Sequence, residues 1–145
     1  MNRKQNIIIA AFLLLITAVI LLGGCSDNST GDKVERFAQA APAGDGNITV
    51  PGYEDLSFKA GDTSQSVNLQ NPPTNACYFR FTLIVNDETL WTSDYIEPGE
   101  AVKRLTLSHA LDKGGYDATL HYDCYTLNDK IPLNGADIKL KLNVK

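Results

Sequence analysis

Residues 77–85 read Cys-Tyr-Phe-Arg-Phe-Thr-Leu-Ile-Val, and residues 116–126 read Tyr-Asp-Ala-Thr-Leu-His-Tyr-Asp-Cys-Tyr-Thr. Successive side chains of a strand point to opposite faces of its sheet, so a period of two sorts a buried face from a wet one. In the first run Cys77, Phe79, Phe81, Leu83 and Val85 share a face, opposed by Tyr78, Arg80, Thr82 and Ile84. In the second, Tyr116, Ala118, Leu120, Tyr122 and Cys124 share a face, opposed by Asp117, Thr119, His121, Asp123 and Tyr125. Two long strands, each apolar on one side, point to an all-β fold with a half-solvated antiparallel sheet.

The same alternation recurs at the C-terminus, where Ile138, Leu140, Leu142 and Val144 interleave with Lys139, Lys141, Asn143 and Lys145. Residues 48–58 in pieces, 66–69, 89–96 and 101–107 supply further strands. Turn signals recur every ten or so residues, and no helical period is present from Asn47 onward. Pro98 and Gly99 suit the two central positions of a type II turn between sheets. About seven short strands over residues 47–145 predict an antiparallel β-sandwich.

The N-terminus is built differently. Arg3 and Lys4 precede a run without charge from Ile7 to Leu22, which reaches Gly23, Gly24 and Cys25. A basic start and an apolar stretch are the parts of a secretory signal peptide, and the stretch is short for a span needing ~20 apolar residues. Leu22, Gly23, Gly24 and Cys25 resemble the lipobox of bacterial lipoproteins. That resemblance implies a signal peptide over 1–24, cleavage before Cys25 and attachment of lipid to its sulfur. Several lipid chains on one cysteine hold durably, since each buried methylene contributes ~0.8 kcal/mol. An uncleaved single-span anchor is the alternative, and either reading places the rest of the chain outside the cytoplasm.

Residues 25–46 then form a lipidated, flexible linker rich in Ser, Asp, Asn, Gly, Ala and Pro, with a weakly helical patch over 34–40. Losing Arg3 and Lys4 with the signal peptide takes the net charge from −4 to −6. An acidic domain without a basic cluster cannot neutralise a phosphate backbone, so no nucleic-acid partner is expected.

With Cys25 carrying lipid, Cys77 and Cys124 remain as an even pair in an oxidising compartment, which predicts a disulfide. Closing a loop of about 48 residues would stabilise the fold by roughly 4 kcal/mol on a chain-entropy account. Cys77, Trp91 and Cys124 in that order, with Tyr122 two residues before the second cysteine, resemble the immunoglobulin superfamily over residues 47–145. The resemblance implies an immunoglobulin-like sandwich with strands A, B and E in one sheet and G, F, C and C′ in the other. Cys77 opens strand C here, whereas that family's first cysteine lies on strand B.

Motifs for chemistry are absent from the sequence: there is no Gly-x-Ser-x-Gly, His-Glu-x-x-His, Walker or Gly-x-Gly-x-x-Gly pattern. His109 and His121 with Cys124 do not make a copper set, because no histidine follows the cysteine and Met1 is the only methionine. Asp112, Asp117, Asp123 and Asp129 lack the close spacing that converges oxygens on calcium. The expectation is a protein that is not an enzyme, with no metal and no cofactor.

Placing Cys77 opposite Cys124 sets Tyr78 against Asp123, Arg80 against His121 and Thr82 against Thr119. A two-residue turn near Asp87 and Glu88 then brings Trp91 and Tyr95 onto the outward face with Tyr78, Arg80 and His121. That set has the aromatic and arginine composition of a binding hot spot. A turn one residue longer would instead bury Trp91. The function expected is a membrane-anchored binding or adhesion module for an envelope protein or glycan. The alternative is an accessory lipoprotein subunit of a cell-envelope complex.

Overall fold

Aromatic and β-branched residues recur along the two longest central strands, and among the described residues every regular element is a strand. The computed structural model describes residues 32–38 and 47–145, and among these there is no helix. The expected signal peptide, Cys25 and most of the expected linker lie outside the described residues. Eight strands form: β1 (Lys33–Arg36), β2 (Asp55–Phe58), β3 (Ser64–Gln70), β4 (Cys77–Val85), β5 (Glu88–Thr92), β6 (Glu100–Thr106), β7 (Gly114–Thr126) and β8 (Ala136–Val144). They make two sheets, ordered β1-β6-β3 and β2-β8-β7-β4-β5.

The alternation read from the sequence sets the burial. Along β4, Cys77, Phe79, Phe81, Leu83 and Val85 are buried while the residues between them are half-exposed. Along β7, Ala118, Leu120, Tyr122 and Cys124 are buried. These pack with Leu140, Leu142 and Val144 of β8 against Leu69 of β3 and Val102 and Leu105 of β6, closing one core between the sheets. Tyr122 lies edge-on to Phe79 and Phe81 at 5.3 and 5.0 Å, and its hydroxyl donates to the Pro51 carbonyl at 2.8 Å. Burial pushes that phenol's pKa up.

Three expectations are corrected. The strand predicted first, within 48–58, does not join the smaller sheet: β2 pairs parallel with β8, Phe58 opposite Val144, and so extends the larger one. A strand inside the predicted linker takes its place, as β1 pairs antiparallel with β6. All four of its side chains are exposed, so it carries no apolar alternation to betray it and is held through its main chain.

The register between β4 and β7 also differs. Phe79, not Cys77, stands opposite Cys124, with Cys77 opposite Thr126, Arg80 opposite Asp123 and Thr82 opposite His121. The offset from the expected register is two residues, which preserves every side chain's face. Aligning Cys124 with Phe79 lets β7 itself run on to Thr126, opposite Cys77, before the chain turns.

Buried polar groups tie the connections down. Asn71 donates to the carbonyls of Cys77 and Ile96 at 2.9 and 2.8 Å and accepts from Asn75 at 2.9 Å. Asn75 in turn accepts from Thr49 N–H at 2.8 Å. The turn expected at Pro98 and Gly99 forms: Glu100 N–H donates to the Glu97 carbonyl at 3.0 Å and Gly99 takes φ of 84°.

Candidate functional site

Trp91 settles which side chains face outward. Asn86 and Asp87 both have positive φ, the signature of the tight hairpin turn that matches strand twist, and Val85 pairs with Glu88. The turn thus has two residues, one position earlier than expected. A bulge follows, because Ile84 pairs with Thr89 but Leu83 pairs with Trp91. The extra residue turns Leu90 and Trp91 both inward, and Trp91 is only 6% exposed. Trp91 therefore does not belong to the outward patch, and its indole N–H donates to the Asp32 carboxylate.

The other four residues do share the outer face of the larger sheet. Tyr78 and Arg80 are half-exposed on β4, His121 is half-exposed on β7, and Tyr95 is 36% exposed just beyond β5. Tyr95 stands at the centre of an aromatic group: its ring centroid is 5.8 Å from Tyr78 and 5.0 Å from Tyr125, both edge-to-face. Rings meeting this way place positive edge on negative face and hold their faces at fixed angles. Lys130 lies above them, its ammonium 4.4 Å from the Tyr95 centroid and 5.7 Å from that of Tyr78.

The turn after β7 aims that lysine. Lys130 has φ of 52°, its N–H donates to the Thr126 carbonyl at 3.2 Å, and Ile131 N–H donates to Thr126 Oγ1 at 2.9 Å. Arg80 is positioned from the other side, its Nε donating to the Ser93 carbonyl at 3.2 Å. Ser93 is itself fixed through Oγ, which accepts from Phe81 N–H at 2.9 Å.

His121 belongs to a separate group on this face. Its Nδ1 is 2.5 Å from Asp137 Oδ1 and its Nε2 is 3.1 Å from Asp123 Oδ1. An imidazole can donate from both nitrogens only as the cation. The Asp137 carboxylate first, then Asp123, holds its pKa above the ordinary value against the opposing effect of burial. His121 thus acts as a clasp between β7 and β8.

Tyr125, Lys130 and Asp137 were missed by sequence reasoning. Tyr125 lay on the correct face by parity alone. Lys130 could not be found, because the left-handed backbone that aims it falls on the lysine itself and not on a Gly or Asn.

On the inner face Cys77 and Cys124 are buried free thiols, diagonal in register and in direct hydrogen-bonding contact. The contact with Cys124 and then burial push the Cys77 thiol up, so it stays protonated. Among the described residues no group of three or more His, Cys, Asp or Glu side chains is arranged to hold a metal ion. The expected acidic set is dispersed: Asp117 pairs with Lys141 and Asp123 with His121. Comparison with protein-family models, curated proteins and solved structures finds no match to this chain.

Proposed function

We propose that this protein is a non-enzymatic, extracytoplasmic lipoprotein that binds an envelope protein or glycan through the outer face of its larger sheet. The observation that carries the reading is the Tyr78–Tyr95–Tyr125 cluster with Lys130 above it. Three fixed rings offer apolar faces and hydroxyls at low entropic cost, and Lys130 and Arg80 bring charge-assisted donors. Such a surface suits a ligand with an apolar side and acidic or hydroxyl-bearing groups.

The strand order supports an immunoglobulin-like assignment, in which β3 and β6 stand for B and E, and β2, β8, β7, β4 and β5 for the opposite sheet. In an oxidising compartment the touching thiols of Cys77 and Cys124 would give up two electrons and two protons to a thiol oxidant and form the expected disulfide. Attachment to membrane lipid rests on the lipobox resemblance at Cys25.

Capture from envelope extract by the immobilised full chain in detergent tests the binding role. Tyr95→Ala with Tyr125→Ala is expected to lose the captured partner while keeping the strand signal in far-UV circular dichroism. Treating the extract with periodate or with protease separates a glycan from a protein ligand. Capture of nothing by the wild type, or of the same partner by both forms, contradicts the proposal.

Leu127, Ile131 and Leu133 favour a second reading. They are 40%, 55% and 42% exposed on one loop, an apolar surface suited to constant packing on a larger envelope complex. In that case Ile131→Asp would release the protein from the complex, and the tyrosine substitutions would not.

A further inference from the structure

β1 buries none of its side chains, yet it is seated by specific groups at both ends. At its start the Asp32 carboxylate receives the Trp91 indole N–H and, at 2.9 Å, the Thr106 N–H. At its end the Arg36 guanidinium reaches Glu97 at 2.6 Å and Glu100 at 2.8 Å. Beyond that, Phe37 and Ala38 N–H both donate to the Gly99 carbonyl, at 2.7 and 3.0 Å. Between the two ends the main chain pairs with β6, Val34 opposite Val102.

Every receiving group lies on residues 91–106. Together they form an edge that reads an extended segment in one direction: donors for a carboxylate at one end, acceptors for a guanidinium four residues on. Reversing the incoming strand would set its carboxylate against Glu97 and Glu100. The site is also shaped for main chain. A Cβ on Gly99 would lie 1.8 Å from the Ala38 carbonyl oxygen, so only glycine leaves room for the segment to pass.

We infer that the edge of β6, with Trp91, Gly99, Glu97 and Glu100, is a strand-accepting site. Residues 32–38 fill it reversibly in cis, and the same segment of a second copy fills it in trans. The complementarity names the occupant: a second copy brings the Asp32 and Arg36 groups that the site receives. Exchange between copies replaces each contact by itself, so little beyond the entropy of joining two chains opposes it. Release is easy because no apolar side chain leaves the core. The linker through 39–46 keeps the cis strand at high local concentration, so exchange favours crowded chains.

The test uses full-length chains in detergent and a fluorescein-labelled peptide of residues 31–38. Asp32→Ala/Val34→Pro/Arg36→Ala breaks the donor strand and leaves the site intact. Saturable binding to this variant is expected, at least tenfold tighter than to wild type and at least tenfold weaker when the peptide carries Ala at both charged positions. Glu97→Lys/Glu100→Lys breaks the acceptor by surface charge alone, and a peptide with Arg36→Glu should recover binding there. Mixed, the donor-broken and acceptor-broken chains should form a one-to-one pair in sedimentation equilibrium. Absence of saturable peptide binding to either vacated site, or equal binding of the Ala peptide, overturns the site. Peptide binding with the mixed chains remaining monomeric overturns the second copy as occupant.

Discussion

β4 and β1 are both antiparallel strands in this molecule, and they are held in opposite ways. β4 is central, with β5 and β7 on its two sides, and buries five of its nine residues at strict alternation. β1 lies at an edge, buries none of its four, and relies on its main chain, two charged side chains and a neighbouring glycine. The difference teaches that side-chain pattern reveals strands that build a core, whereas strands that merely dock on an edge leave almost no pattern to read.

The contrast predicts a ladder of effects. Phe81→Ala, in the middle of β4, removes a ring packed on Phe79 and Tyr122 and should cost about 3–5 kcal/mol in urea unfolding. A loss of less than about 1 kcal/mol would mean that β4 is not central to the core. Asn71→Ala removes a buried amide that bonds the Cys77 and Ile96 carbonyls and the Asn75 amide, and should cost about 1–3 kcal/mol in the same assay.

Gly99→Ala sharpens the comparison from the other side. It blocks the passage of Ala38 and forces a side chain onto a left-handed backbone, so it should free β1 with the rest of the fold in place. In native-state hydrogen exchange the β1 amides should lose protection and those of β4 and β7 should keep theirs. Joint loss would show that β1 belongs to the core unit.

The smallest expected effect concerns His121. Its pKa is raised in the folded chain, so its clasp on Asp137 and Asp123 is complete below the ordinary imidazole range and fades as pH climbs through the raised value. The clasp is half-exposed and screened by solvent, so His121→Gln should alter stability only slightly at acidic pH and not at alkaline pH. Titration of its ring protons by NMR should give a midpoint above that of His121 in the unfolded chain.

What could be read in the sequence follows the same division. The faces of β4, β7 and β8 were legible because period-two alternation depends only on local residues. The register of Cys124 on Phe79 was not, because a slip of two residues leaves every face unchanged and so leaves no trace in the pattern. Trp91 turned on a bulge at Leu90, a single extra residue that two apolar neighbours can both accept by turning inward. Of the outward site, Tyr78, Arg80 and His121 followed from parity; Tyr95 faces outward although it shares parity with the inward Trp91, because the alternation breaks after Asp94, and Lys130 depended on a turn whose backbone sign its own residue type does not announce.

Trp91 is the chain's only tryptophan, and it sits where the two regions meet: inward by the bulge of β5 and bonded to Asp32 ahead of β1. Its fluorescence with iodide as quencher tests the account most directly. The emission of a buried indole, resistant to iodide in the native chain and shifted to the red by Asp32→Ala, is the predicted result. Solvent-like emission quenched by iodide in the native chain would place Trp91 on the outer face and contradict both the inward bulge of β5 and the seated β1.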